Sequence, residues 1–172
     1  TPCSRLARPA DLRGNGRWPG MRTPPGPRAT SPPDTTGFVI FGWVSPPANV
    51  TTEDRIAEMA AIGLNLTLPA WLDEGCVDDN LARLDWAAAH GMRCLIWDSR
   101  FNAALQWLPT FEDTLDAIAA EYRDHPGFWG YYLGDEPKRP LWPLLGRIRE
   151  SLRVRDPVHP AWNNLTGRAA YP

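Results

Sequence analysis

The chain has 172 residues, a formal net charge of −2 and a hydrophobic fraction of 43%. This composition is typical of one globular domain, and its balanced charge gives no electrostatic reason to expect nucleic acid or an anionic membrane as a partner. No apolar run approaches the roughly 18 residues that a membrane span requires. The three cysteines lack the spacing of a zinc site, so no structural zinc is expected. The leading interpretation of the sequence also requires no other metal and no cofactor.

The chain divides by composition near residue 36. Residues 1–36 are rich in Pro, Gly and Arg and have almost no aliphatic clusters. Such a segment cannot bury enough apolar surface to offset its ordering entropy, so we predict a disordered leader. Residues 37–172 are predicted to form the folded part.

From residue 38 onward, short apolar runs alternate with amphipathic helical patterns. The five predicted strands are 38–43, 64–68, 92–97, 128–133 and 158–165. The helices between them begin near residues 51, 79, 110 and 141, and the first two are expected to end at Gly63 and Gly91. Strands that alternate with helices predict parallel pairing in an α/β fold.

The loops that follow the strands favour a partial (β/α)8 barrel over an open nucleotide-binding sheet. The first strand is followed by Pro46 and Pro47, which cannot form a phosphate-binding nest because they lack backbone donors. Polar and aromatic residues instead follow each strand, as at the active end of a barrel. A full barrel needs about 250 residues. We therefore expect about five strands and four helices, the amino-terminal part of a barrel truncated at its carboxyl end.

The fourth predicted strand, Phe-Trp-Gly-Tyr-Tyr-Leu, ends in Gly134, Asp135, Glu136 and Pro137. It resembles the fourth strand of the large clan of (β/α)8-barrel glycoside hydrolases, in which an Asn-Glu-Pro or Asp-Glu-Pro ending carries the general acid/base. The resemblance extends more weakly over residues 38–165. It is strongest to bacterial members similar to the family 42 β-galactosidase barrel.

The resemblance implies that Glu136 is the catalytic proton donor. An enclosed site with aromatic neighbours would favour the protonated form of such a carboxylic acid. Asp135 would contact a sugar hydroxyl or hold Glu136, although the clan more often has Asn at this position. The clan's nucleophile follows strand seven, which corresponds to a position beyond residue 172. The resemblance thus implies a retaining hydrolase fragment that is inactive without the carboxyl-terminal half of its barrel.

Further residues after the predicted strands are candidates for contact with a carbohydrate substrate. Asp98 and Arg100 could form an ion pair that fixes their loop, or could contact the sugar. Flat aromatic faces suit sugar rings, and amides can bond their hydroxyls. The candidates of these two kinds are Trp43, Trp71, Asn163 and Asn164.

Two alternative functions remain open from the sequence. One is a carbohydrate-binding barrel without turnover. The other is a metal-dependent sugar isomerase or lyase that uses Asp98, Asp135 and Glu136 as oxygen ligands. The sequence does not determine the sugar, the linkage or the cellular location.

Overall fold

A computed structural model describes residues 37–43, 45–71, 75–102 and 111–165. The predicted leader over 1–36 and the predicted helix start at Thr110 lie outside these ranges. The strands are β1 (Ser45–Pro47), β2 (Leu66–Thr67), β3 (Ala70–Trp71), β4 (Arg93–Ile96), β5 (Phe128–Tyr132) and β6 (Ala161–Trp162). The main helices are α1 (Glu53–Ala61), α2 (Val77–Ala89), α3 (Phe111–Tyr122) and α4 (Trp142–Arg155).

The main sheet has the order β2-β4-β5-β6, and all of its neighbouring strands are parallel. Helices α2, α3 and α4 lie between its successive strands along the chain. The predicted α/β fold with parallel pairing is therefore confirmed. A second, two-stranded parallel sheet pairs β1 with β3. Open sheets and barrels share this alternation of strands and helices.

The two faces of the main sheet are buried differently. One face carries Cys94, Ile96 and Tyr131, which belong to the large core formed with the helices. The residues between them in sequence point to the other face, where Leu95 packs in a smaller cluster. That cluster contains Leu66, Leu68 and Leu95, with Trp129, Tyr132 and Trp162 packed against it. The aromatic side chains on this second face are thus only partly buried.

The prediction of a first strand over residues 38–43 is wrong. The segment has no strand pairing, and Phe38 is 85% exposed. It lies beside β2 through Asn65, whose side chain accepts a hydrogen bond from the Ile40 amide and donates one to the Phe38 carbonyl, both at 2.8 Å. The Ile40 carbonyl also accepts from the backbone amides of Asn65 and Leu66 at 3.0 and 3.3 Å. These contacts do not form a strand ladder, and no apolar face of the segment is buried, so it does not become a strand.

The helix boundaries follow the local signals closely. Thr52 caps α1 by accepting a hydrogen bond from the Arg55 amide, so the cap lies one residue after the Thr51 that the capping-box pattern selects. Gly63 and Gly91 follow α1 and α2 with φ values of +92° and +69°, as expected for glycine just beyond a helix end. No helix within the described ranges is long and apolar enough to cross a membrane.

Candidate functional site

The loop that follows β5 carries the two carboxylates of the Asp-Glu-Pro ending. Asp135 and Glu136 are both exposed, whereas Pro137 is buried. Gly134 has a φ of +132°, and Glu136 has a φ of +43°, a left-handed conformation that is costly for a residue with a side chain. Glu136 is the one non-glycine residue in the described ranges with a positive φ. The expectation of an enclosed Glu136 is therefore not met.

The end of β6 holds this loop. The Leu133 amide donates to the Trp162 carbonyl at 2.9 Å, which continues the pairing of β5 with β6. Beyond it, the side-chain amide of Asn163 donates to the Gly134 carbonyl at 3.1 Å. The side-chain amide of Asn164 donates to the Asp135 carboxylate. The structure therefore brings these predicted residues together, but both asparagines contact the protein through their amides.

Tyr132 lies at the base of the loop, and its role was missed from the sequence. Its hydroxyl donates to Oδ1 of Asn164 at 3.0 Å. Burial raises the pKa of Tyr132 well above its usual range, and the nearby negative charges of Asp135 and Glu136 raise it further. Both carboxylates are thus close enough to Tyr132 to act on it. Strict alternation of side chains along β5 would place Trp129 and Tyr132 on opposite faces. They pack against the same cluster, and the pairing of β4 with β5 has a register irregularity, so the sequence pattern could not have indicated this position.

An aromatic cluster adjoins the loop. The ring of Trp162 lies 5.6 Å from that of Tyr132, 6.2 Å from that of Phe41 and 6.4 Å from that of Trp43, between centroids. Trp43 is 54% exposed and so presents an aromatic surface to solvent. The side chain of Trp71 lies outside the described residues.

Asp98 and Arg100, at the end of β4, form the predicted ion pair. Asp98 is fully buried, and its carboxylate accepts hydrogen bonds from the amide, Nε and NH2 groups of Arg100 at 2.7–2.8 Å. The Tyr122 hydroxyl donates to the same carboxylate at 2.6 Å. The hydrogen bond to Asp98 raises the pKa of Arg100. Asp98 therefore stabilises the loop after β4, and both of its carboxylate oxygens are bonded to Arg100 and Tyr122.

A second buried carboxylate, Asp156, lies just beyond α4 and was not identified as a network from the sequence. It accepts hydrogen bonds from the Tyr131 hydroxyl at 2.7 Å, from Nδ1 of His159 at 2.9 Å and from two backbone amides at 3.2 Å. Burial acts to raise the pKa of Asp156, but the hydrogen bonds from His159 and Tyr131 outweigh it and lower the pKa. This network anchors the segment that leads into β6.

The metal-ligand alternative is not supported. Within the described ranges, no group of three or more His, Cys, Asp or Glu side chains could hold a metal ion. Asp98, Asp135 and Glu136 all lie in those ranges, so they do not form a joint ligand set. The carboxylate of Asp98 is also engaged by Arg100 and Tyr122.

A cavity of about 300 Å³ lies beside the segment that enters β6. Arg149, Arg153 and His159 line it together with apolar residues, and none of the predicted site residues does. It lies before β6, whereas Asn163 and Asn164 follow this strand. Since function in parallel α/β folds concentrates where the strands end, we place the candidate site at the loop after β5.

No family model matches the sequence, and no curated protein sequence matches it. Among solved structures, the chain is similar to a glycosyl hydrolase family 2 member from Bacteroides cellulosilyticus, at 19% identity and a TM-score of 0.47 over 67% of this chain. It is also similar to the β-glucuronidase of Parabacteroides merdae, at 15% identity and a TM-score of 0.41 over 65% of this chain. The similar region spans 16% of each of those chains. With likeness of this degree, function has to be argued from the site.

Proposed function

We propose that the chain contributes the proton donor, Glu136, to the active site of a glycoside hydrolase. Residues 37–172 would form the amino-terminal part of a (β/α)8 barrel, and residues 1–36 would be its leader. The observation that carries the proposal is the position of Glu136. It follows β5 at the end of a parallel strand, on a loop held by the next strand, in a left-handed conformation.

The left-handed backbone supports a functional role. A non-glycine residue at positive φ costs on the order of 1–3 kcal/mol and persists only where the surroundings impose it. Glycine at position 136 would remove this cost. A carboxylate at this position has no evident structural role, because its side chain makes no hydrogen bond or ion pair within the described ranges, and this supports a role in chemistry.

In the proposed mechanism, the protonated carboxyl of Glu136 donates its proton to the glycosidic oxygen as the bond to the anomeric carbon breaks. In a retaining reaction, a second carboxylate forms a glycosyl-enzyme intermediate. Glu136, now a carboxylate, then accepts a proton from the water that releases the sugar. Asp135 contributes a fixed negative charge beside the donor. The aromatic cluster around Trp162 would form part of the wall of the sugar site.

The second carboxylate is proposed to follow strand seven in the carboxyl-terminal half of the barrel. The proposed partners of this chain are therefore a carbohydrate substrate and the carboxyl-terminal half of the barrel. A polypeptide with both halves would place the two carboxylates about 5–5.5 Å apart if the reaction retains configuration. The chain alone is expected to hydrolyse no glycoside above background.

The experiment measures hydrolysis of a panel of 4-nitrophenyl glycosides by the chain alone and by a polypeptide that also contains the carboxyl-terminal half. Glu136→Gln is expected to lower kcat by about 10²–10⁴-fold, the range typical of a general acid/base. Glu121→Gln, which changes an exposed carboxylate on α3, is the matched control and should leave kcat unchanged. If Glu136→Gln turned over substrate at the rate of the parent, Glu136 would not be the donor.

A carbohydrate-binding barrel without turnover is the second candidate. The observation that favours it is the exposed Trp43 beside the ring of Trp162, which offers an aromatic surface whether or not catalysis occurs. Titration with sugars, followed by tryptophan fluorescence, measures binding separately from turnover. Binding that persists in Glu136→Gln, with no hydrolysis by any form of the complete barrel, would favour this candidate.

A further inference from the structure

The side chain of Asn164 joins two groups of the candidate site. Its Nδ2 group donates to Oδ1 of Asp135, and its Oδ1 accepts from the Tyr132 hydroxyl at 3.0 Å. Both ends of one amide are therefore engaged between β5 and the loop that follows it. The neighbouring Asn163 makes a different contact, to the neutral carbonyl of Gly134.

Chemistry fixes the direction of this hydrogen-bond chain. A carboxylate can only accept, so it must face the NH2 group of the amide and not its oxygen. Tyr132 stays protonated over the working pH range because its pKa is raised by burial and by the two nearby carboxylates. Its hydroxyl is thus available as a donor to Oδ1 of Asn164. The hydrogen bonds run from Tyr132 through Asn164 to Asp135. Because Asp135 is charged, the bond between Asn164 and Asp135 is stronger than a bond between two neutral groups.

The loop also needs external support. Gly134 and Glu136 both have positive φ values, and Asp135 lies between them. An exposed loop with this backbone relaxes to more common conformations unless its surroundings hold it. Asn163 holds the carbonyl of Gly134, and Asn164 holds the carboxylate of Asp135. The two contacts fix the residues on the amino side of Glu136.

We infer that Asn164 is a positioning residue that, through Asp135, holds the loop in the conformation that presents Glu136. Asn163 assists by securing the Gly134 carbonyl. This role replaces the direct sugar contact that the sequence suggested for the two asparagines. The catalytic consequence rests on the proposed function, whereas the contact between Asn164 and Asp135 can be tested without any activity.

The first experiment follows the side-chain amide protons of asparagine by NMR in the full chain while the pH is lowered. The Nδ2 protons of Asn164, assigned by their loss in Asn164→Ala, are expected to shift as the Asp135 carboxylate protonates. The shift should disappear in Asp135→Asn and persist in Glu136→Gln. The amide of Asn163 is the internal control, since a neutral carbonyl does not titrate.

Two results would overturn the inference in this experiment. One is an Asn164 amide that does not respond to pH through the acid range. The other is a response that survives in Asp135→Asn. If Asn164→Ala does not fold, the side-chain amide is assigned through its backbone resonances in the parent chain, and the first of these results is read without Asp135→Asn.

The second experiment measures kcat and KM separately in a polypeptide that contains both halves of the barrel. A misplaced donor slows the chemical step, so Asn164→Ala should lower kcat by about 10- to 100-fold, while KM changes by less than about twofold. Asn163→Ala should have a smaller effect in the same direction. A raised KM with unchanged kcat would assign Asn164 to sugar binding and contradict the inference.

The two experiments also separate this inference from the proposed function. If Glu136→Gln has full activity but the Asn164 amide titrates with Asp135, the proposed function fails and the contact stands. If Glu136→Gln is inactive but the chemical shift of the Asn164 amide does not respond to Asp135, the donor assignment stands and the positioning role fails.

Discussion

The two buried carboxylates and the two carboxylates on the loop after β5 have opposite surroundings. Asp98 and Asp156 are buried, and each accepts several hydrogen bonds from side chains and backbone amides. Asp135 is exposed and accepts from Asn164, while Glu136 is exposed on a left-handed backbone. The two buried acids thus accept several hydrogen bonds each, whereas the acid that we propose as the proton donor is exposed.

The largest expected effect tests the buried side of this comparison. Asp98→Asn removes the charge that pairs with Arg100 and weakens the acceptor of the Tyr122 hydroxyl. We expect a loss of about 3 kcal/mol in the free energy of unfolding, because the buried Asp98 carboxylate loses charge-assisted hydrogen bonds from Arg100 and Tyr122. Urea denaturation measures it, with Glu121→Gln as the surface control. A loss no larger than that of the control would show that Asp98 is not an anchor.

The second network should show a dependence on pH. Asp156→Asn is expected to cost about 2 kcal/mol near neutrality. The pKa of Asp156 is lowered from its ordinary value of 3.8, so its contribution is full above that value and is lost as the pH falls through the lower folded pKa. In thermal melts, the difference in melting temperature between the parent and Asp156→Asn should therefore become smaller as the pH is lowered. A difference in melting temperature that stayed constant down to the pH of acid unfolding would argue against stabilisation by the Asp156 carboxylate.

A substitution at Glu136, on the loop after β5, should raise the free energy of unfolding, whereas the substitutions at Asp98 and Asp156 lower it. Glu136→Gly relieves the cost of a positive φ and is expected to raise the free energy of unfolding by about 1 kcal/mol. Glu136→Gln keeps a side chain of similar size on the same backbone and serves as the matched control, with no change expected. Destabilisation by Glu136→Gly would contradict a strained functional position.

The smallest effect on stability is expected at Asp135. It is exposed, and Asn at this position keeps the side-chain volume, so Asp135→Asn should change the free energy of unfolding by no more than about 0.5 kcal/mol. The same urea denaturation series checks this value. A loss as large as that of Asp156→Asn would erase the distinction between the two kinds of carboxylate.

The sequence predicted the regular elements well where hydrophobic periodicity was strong. Strands β4 and β5 and helices α2 and α4 lie close to their predicted positions, and their parallel order followed from the alternation of strands and helices. The strand prediction for residues 38–43 was wrong because an apolar run forms a strand only when an adjacent strand pairs with it and other residues cover its apolar side chains. Here the Asn65 side chain and the backbone amides of Asn65 and Leu66 bond to residues 38–40, but no strand ladder forms and no apolar face is covered.

The sequence placed the candidate residues after neighbouring strands but could not predict their contacts. Asn163 and Asn164, proposed for sugar contact, bond to the loop of Asp135. The sequence could not show that these amides bind protein groups, because that depends on the register of β5 and β6. Nor could it show the left-handed backbone of Glu136, since glutamate does not signal a positive φ.

The donor role of Glu136 is tested most directly by the dependence of its variant on the leaving group. In a polypeptide with both halves of the barrel, kcat/KM of Glu136→Gln is compared for 2,4-dinitrophenyl and alkyl glycosides of the same sugar. A dinitrophenolate leaves with little need for a proton, whereas an alkoxide requires one. We predict a loss of about 10²–10⁴-fold for the alkyl glycoside and a much smaller loss for the dinitrophenyl glycoside. Equal losses on both substrates, or none on either, would contradict Glu136 as the proton donor.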